Sequence, residues 1–453
     1  MNRSQLSNQF WQAGLERLTG SVGQIASVTS SGALTRLTGL MLEARGCRAP
    51  VGAVCRLGGG EQTASAEVVG FDNDRMLLMP LSGAEGLQAG ARVSVDTVGG
   101  LIPVGEGLLG RVIDPTGVPL DGGGPVRCDR LMSPQPRPIN PLQRRPINAP
   151  LDVGVRAINA LLTVGRGQRL GIFAPAGVGK SVLLGMLARF TRADVIVVGM
   201  IGERGREVKE FIDRNVGPVG MKKTVIVAAP ADFAPVTRLR GAAVATAVAE
   251  HFRDQGKAVL LLLDSLTRYA YAQREIALAV GEPPATKGYP PSVFAKLSAL
   301  VERTGNAAGR GSITAFYTVL TEADDAADPV AESARAVLDG HVVLSRDLAD
   351  AGQFPAIDVL ASTSRVTTAI CDPEHLALGL RFRQEHSLYR DNADFIRIGA
   401  YTRGQDPQLD AAVARHPAMA AFLRQRIDEQ AEFPASLAQL RALFARTDAG
   451  AQA

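Results

Sequence analysis

The residues best suited to chemistry stand in one short run, GIFAPAGVGKSVLL, from Gly171 to Leu184. Its centre, Gly177-Val178-Gly179-Lys180-Ser181, has the make-up of a phosphate cradle. Glycines let backbone N–H groups close on phosphate oxygens, and a helix N-terminus behind them adds positive potential. Lys180 would neutralise β/γ-phosphate charge, and the Ser181 hydroxyl would go to Mg²⁺. The loop residues Ala176, Gly177, Val178, Gly179, Lys180, Ser181 and Val182 are therefore candidate nucleotide contacts. The strict pattern G-x-x-x-x-G-K-[ST] asks for glycine at position 174, where this chain has Ala174. A methyl at the entry to the loop is expected to fit, because Gly177 and Gly179, the close-approach positions, are intact.

Two carboxylates extend the constellation. KAVLLLLDS reads as a buried strand ending in Asp264, and a carboxylate at that tip would hold Mg²⁺ through water. GERGRE, Gly202 to Glu207, follows the strand DVIVVGMI. Glu203 is expected at the tip of the strand beside the phosphate loop, where it would orient the water that attacks the γ-phosphate. Arg204 is expected to pair with Glu203 or with phosphate. Plainer roles compete: strand-end aspartates also cap helices, and GERGRE alone reads as a solvated, salt-bridged loop.

These groups need a scaffold, and the patterning supplies one. From about 151 to 366, apolar runs alternate with amphipathic helices: RLGIFA, DVIVVGMI, KTVIVAAP, AVLLLLD, SITAFYTVL and GHVVLSR. Continuous apolar strands between helices argue for an α/β fold with a mostly parallel, doubly wound sheet. Residues 23–98 instead carry short β-branched runs between Gly-rich turns, the pattern of a small β-barrel. The last 85 or so residues are helical in pattern. Near the start, Leu6, Phe10, Trp11, Leu15 and Leu18 make an apolar stripe on a short helix. That helix either docks on its own domain or meets a partner or membrane surface.

Composition excludes several classes. Hydrophobic residues are 46% and charged residues 21%, which rules against global disorder. The net charge of +4 arises from 49 basic and 45 acidic residues, too balanced for a nucleic-acid-wrapping protein. The four cysteines form no C-x-x-C pair, so scattered thiols in a reducing compartment are expected. The opening residues lack the apolar core of a secretion signal, and no long uncharged apolar run occurs, so a cytoplasmic protein is expected.

The run PAIDVLASTSR, Pro355 to Arg365, matches the pattern P-[SAP]-[LIV]-[DNH]-x-x-x-S-x-S of the rotary ATPase alpha/beta superfamily. With APAGVGKS, GERGRE and LLLLDS, residues 24 to 440 resemble a member of that superfamily throughout. The order of small β-barrel, RecA-like P-loop ATPase domain and helical C-terminal domain is the same. Three long runs are similar to the flagellar protein-export ATPases of the type III secretion class: GVRAINALLTVGRGQR, DSLTRYAYAQREIALAVGEPPATKGYPPSVFAKL and GSITAFYTVLTEADDAADPVAESARAVLDGHVVLSR. The injectisome ATPases are similar as well, though EPPATKGYPPSVFAKL and GVGKSVLLGM look more like the flagellar branch.

The resemblance implies hydrolysis of ATP, with Mg²⁺, coupled to export of flagellar proteins. It implies a homo-oligomeric, hexameric ring at the cytoplasmic face of the inner membrane, with ATP sites between neighbouring subunits. It carries Arg365 over as an arginine finger reaching into the next subunit's site. Phe354, in GQFPAID, falls where an aromatic ring stacks on adenine, and Tyr401 is a second candidate for that place. The implied partners are a stator-like export regulator at the N-terminal helix, a central coiled-coil stalk, export chaperone–substrate complexes and the membrane export gate. Many relatives have a glycine and a small polar residue where this chain has Pro175-Ala176. Non-catalytic subunits commonly carry glutamine at the Glu203 position, so Glu203 implies a hydrolysing subunit. One chain carrying Lys180, Glu203 and Arg365 can complete its sites from identical copies. The division implied is an N-terminal partner helix (1–22), an oligomerisation barrel (23–98), the ATPase domain (99–366) and a helical C-terminal domain (367–453).

Three other readings stay open. A catalytic subunit of a rotary ATP synthase or ion pump would need a non-catalytic partner chain. An RNA-translocating hexamer would need stacking platforms, yet residues 24–98 hold one aromatic, Phe71, and few clustered cations. A degenerate scaffold would be expected to lose some of Lys180, Glu203, Asp264 and Arg365, and all four are present.

Overall fold

Two kinds of apolar patterning become two separate units, divided between Gly99 and Gly100. The structure, a computed structural model, describes residues 31–59, 62–128, 130–135, 139–321 and 328–448. The helix expected around Trp11 lies outside these residues.

In the first unit six strands close into an antiparallel barrel: β1 (Ser31–Thr38), β2 (Met41–Arg45), β3 (Val54–Gly59), β4 (Gln62–Asp72), β5 (Arg75–Pro80) and β6 (Arg92–Asp96), ordered β1-β2-β5-β4-β3-β6. The two-residue period of a strand decides which side chains fill it. Leu42 and Ala44, Met76 and Leu78, and Cys55 and Leu57 point inward and are buried. The β4–β5 hairpin turns at Asn73, whose φ of 55° is one that asparagine tolerates better than most side chains.

The second unit is built on one large sheet. Its strands are β7 (Ile102–Val104), β8 (Val112–Ile113), β9 (Arg130–Met132), β10 (Arg169–Ala174), β11 (Val195–Ile201), β12 (Thr224–Ala229), β13 (Ala258–Asp264), β14 (Gly305–Asn306), β15 (Ser312–Leu320), β16 (Gly340–Leu344) and β17 (Ile357–Ser364). β7 and β9 pair as a small ribbon, and the main sheet runs β17-β16-β10-β15-β13-β11-β12-β8, with β14 alongside β15. All six apolar runs become strands, and they pair in parallel. β17 is antiparallel to β16.

The runs are continuously apolar because both faces are covered. Leu170, Ile172, Val198, Leu262 and Phe316 face one core, which contains helix Lys180–Phe190 and the C-terminal helices Pro373–Asp391, Pro407–Leu423 and Phe433–Asp448. Phe173, Val197, Leu261, Leu263 and Tyr317 face the other, under helices Pro235–Asp254, Leu266–Ala279, Pro291–Glu302 and Pro329–Val337.

One ion pair sits inside the second layer. Arg303 donates to both oxygens of Glu250, at 3.0 and 2.7 Å, and to the Pro134 carbonyl at 3.0 Å. Both side chains are buried. Glu250→Ala leaves the guanidinium uncompensated, and the expected loss is about 3–5 kcal/mol. A urea titration of both proteins measures it as a shift in midpoint.

Candidate active site

The phosphate loop begins where β10 ends. Ala174 is fully buried, pairs with Leu320 in the sheet and gives its carbonyl to Thr321 at 3.0 Å. Position 174 is thus ordinary strand, with no positive φ, and its methyl joins the core. The left-handed positions are Gly177 (φ 82°) and Gly179 (φ 92°), which only glycine adopts without strain. Gly179 caps the helix that opens with Lys180 and Ser181. Ser181 is exposed on the first turn, and its carbonyl accepts from the Asn215 side chain at 3.1 Å.

Three parallel strands bring the charged groups to the same sheet edge, beyond their carboxyl ends. Asp264 closes β13, and Glu203 follows β11 after Gly202. Lys180 Nζ lies between them, 2.5 Å from Asp264 Oδ1 and 3.4 Å from Glu203 Oε1. Thr318 on β15 donates its hydroxyl to Asp264 Oδ1 at 2.6 Å, which fixes the carboxylate's rotamer. The strand before Glu203 is not the one beside the phosphate loop, contrary to the sequence expectation. β15 and β13 stand between β10 and β11. Three strand spacings make about 14 Å, which the arch of the loop and the length of the lysine span.

Burial sets the electrostatics. Desolvation, reinforced by the charge of Asp264, pushes the Glu203 carboxyl up to about 7, although Lys180 pulls the other way. Burial also works against the Lys180 ammonium, but the two carboxylates outweigh it and raise its pKa. The site therefore holds a firmly charged lysine and a carboxyl poised to change protonation near neutrality.

Beside the loop lies a cavity of about 210 Å³. Val178, Gly179 and Val182 line one side, and Phe354 lines another with Gln425 and Ile427. Phe354 is half exposed, and its ring would meet a β-carbon on Gly179 at 3.8 Å. Tyr401 does not line this cavity. Its hydroxyl donates to Asp410, so it is tied into the C-terminal helical region, away from the place proposed for it from the sequence. Arg204 also departs from expectation: it is exposed and its nearest partner is Glu207, at 3.7 Å.

Arg365 stands elsewhere. β17 starts opposite Leu344, near the phosphate-loop edge, and ends opposite Gly340 at the far edge. Arg365 N–H donates to the Asp339 carbonyl at 3.0 Å, and the Asp339 carboxylate binds Arg169, the first residue of β10. Lys180 follows the other end of β10. The length of that strand alone, about 16 Å, separates Arg365 from the site of its own chain.

Several contributors escaped the sequence reading. Thr318 hides inside an apolar run. Gln425 and Ile427 lie in a connection between C-terminal helices. Arg268 is packed so closely on Gly202 that a β-carbon there would sit 2.8 Å from it, and its buried Nε has no hydrogen-bond partner among the described residues. Its spacing of one helical turn after Asp264 was the available signal.

A glycine-kinked strand–loop–helix, a lysine held by two strand-end carboxylates and a flanking aromatic cavity together define a P-loop nucleotide hydrolase. Residues 154–364 match the model of the ATP synthase alpha/beta family, nucleotide-binding domain, and residues 371–442 match the T3SS EscN ATPase C-terminal domain. The chain is 57% identical to the Flagellum-specific ATP synthase of Pseudomonas aeruginosa, covering 97% of this chain and 98% of that one. It is 56% identical to the Flagellum-specific ATP synthase of Salmonella typhimurium, over 96% and 98%. Among solved structures, the assembled ATPase EscN of the enteropathogenic E. coli type III secretion system is 41% identical, with a TM-score of 0.86, over 91% of this chain and 99% of that one. The chain belongs to the ATP synthase alpha/beta family and, within it, to the flagellar and type III secretion ATPases. It is an ATP hydrolase.

Proposed function

We propose that this chain hydrolyses ATP to energise export of flagellar proteins through the type III export apparatus. The observation that carries the reading is Lys180 held between Asp264 and Glu203 at the carboxyl edge of the sheet. Identity favours the flagellar branch: 57% to the Pseudomonas protein, against 46% to the Type 3 secretion system ATPase of Xanthomonas euvesicatoria.

In this reading Lys180 exchanges its carboxylate partners for the β- and γ-phosphates, with the N–H groups of the loop around them. Phe354 stacks on the base. Glu203, with its raised pKa, accepts the hydrogen bond of the attacking water and orients it. The exposed Ser181 hydroxyl and the Asp264 carboxylate are hard oxygen donors of the kind Mg²⁺ takes, and they would hold it. Held there, a divalent cation would supply neutralisation of phosphate charge.

Arg365, remote from its own chain's Lys180, serves the next copy in a homohexameric ring, with the barrel (23–98) as the oligomerisation domain, 99–366 as the ATPase domain and 367–453 as the helical partner region. The E. coli relative was solved in complex with its central stalk EscO, which supports a central stalk partner here. A stator-like regulator at residues 1–22, export chaperone–substrate complexes and a gate at the inner membrane complete the proposed set. No helix among the described residues is long and apolar enough to cross a membrane.

Phosphate release from ATP, measured across a range of protein concentrations, tests the reading. Specific activity is expected to rise steeply with concentration as shared sites assemble. No release at any concentration sinks the enzyme reading, and release with flat specific activity sinks the shared site.

A further inference from the structure

The connection between β16 and β17, residues 345–356, touches the nucleotide site at two points. Near its start, Arg346 Nη2 donates to the carbonyl of Ala176 at 3.0 Å, across 170 positions of sequence. Near its end, Phe354, Pro355 and Ala356 wall the cavity. The connection is closed on itself. Ser345 N–H donates to the Ala356 carbonyl and Gln353 N–H to the Leu348 carbonyl, both at 2.9 Å. The Ser345 hydroxyl caps the helix Arg346–Asp350. Arg346 and Phe354 are therefore parts of one short braced loop.

The phosphate loop is weakest where Arg346 meets it. Ala176 is exposed, and the next residue, Gly177, is left-handed with no atom within 4 Å of where a β-carbon would stand. A crest that lacks packing must be ordered when phosphate binds, and that ordering is drawn from the binding free energy. A charged donor on a backbone carbonyl supplies order beforehand.

We propose that Arg346 is a positioning residue for nucleotide binding: it latches the Ala176 carbonyl and so fixes the crest of the phosphate loop relative to the base cavity. The proposal rests on the ATP site described above. The latch acts in binding rather than in the chemical step, because Arg346 touches the loop and not Lys180, Glu203 or Asp264.

The test is binding of a fluorescent ATP analogue together with steady-state hydrolysis, for wild type, Arg346→Ala and Arg346→Lys. Arg346→Ala is expected to raise Kd and KM about tenfold, the effect of one charge-assisted hydrogen bond. Its kcat should stay within about twofold, the signature of lost uniform binding. Its Tm should not move, since Arg346 is exposed. Arg346→Lys keeps a cationic donor and should recover most of the loss. A KM within about twofold of wild type in Arg346→Ala, or the same defect in both variants, overturns the latch. Failure of the wild type to bind the analogue overturns the reading of the site instead, so the two failures are distinguishable.

Discussion

Glu203→Gln abolishes most hydrolysis while ATP still binds: the expected fall in kcat is about 10²- to 10⁴-fold, the range for a positioned general base. Glutamine keeps the size and the hydrogen-bonding reach but cannot take up negative charge. Lys180 and the glycines of the loop are untouched, so affinity for a fluorescent ATP analogue should stay near that of wild type. Two pH effects follow from the carboxyl raised to about 7. The base works when ionised, so wild-type kcat/KM should rise with pH through about 7 and level off above it. The stability effect has the opposite sign. A carboxyl whose folded pKa lies above its unfolded value binds its proton more tightly when folded. That contribution is complete below the unfolded value near 4.5 and is lost as pH rises through about 7. Glu203→Gln escapes the loss, so its Tm should exceed that of wild type by more at pH 8 than at pH 5. In unfolding free energy the widening is on the order of 1–3 kcal/mol. A glutamine variant with wild-type turnover would remove Glu203 from the mechanism. A gap that does not widen from pH 5 to pH 8 would mean that the folded protein does not raise this carboxyl's pKa.

What the sequence disclosed depended on whether a residue's role is local. Gly177, Gly179 and Lys180 belong to one strand–loop–helix, whose backbone demands are written in adjacent residues, so they were legible. Asp264 was legible because a charge that ends an apolar run must sit at a strand tip. Glu203 stands where the sequence puts it, after DVIVVGMI at the sheet edge, but that strand is not the neighbour of the phosphate-loop strand, since apolar runs do not encode strand order. Strands β13 and β15, which enter between β10 and β11, come later in the chain. Thr318 was silent because one hydroxyl in SITAFYTVL looks like any β-former until Asp264 is placed beside it at 2.6 Å. The base cavity was half legible. Phe354 came from resemblance, whereas Gln425 and Ile427 arrive from a segment about 250 residues beyond the phosphate loop. Tyr401 failed for the same reason: aromatic type says nothing of which hydroxyl acceptor, here Asp410, will hold it. The alanine at 174 proved benign because the position is strand, not turn, and a strand facing a core welcomes a methyl.

An equimolar mixture of two inactive proteins should hydrolyse ATP. Arg365→Ala alone is expected to lose about 10³-fold or more in kcat, the value of an arginine finger. Glu203→Gln alone is inactive for the reason above. Arg365 lies at the far edge of the sheet from its own Lys180, bound through Asp339 to the start of β10. No side-chain rotation carries a guanidinium across the length of that strand. Within one chain, then, Glu203 and Arg365 cannot meet on one phosphate, and a complete site needs two copies. In a mixed ring, an Arg365→Ala copy supplies Glu203 and its Glu203→Gln neighbour supplies Arg365. Random mixing puts that pair at about a quarter of the interfaces of a closed cyclic assembly. Activity up to about that fraction of wild type is therefore expected after the two proteins are mixed and allowed to exchange subunits. Dilution should abolish it, because the complete sites exist only in the assembly. If the mixture is no more active than the sum of its parts under conditions where wild type assembles, Arg365 does not act in trans. Its exposed guanidinium, which donates to the Arg335 carbonyl at 3.2 Å, would then hold only the end of β17.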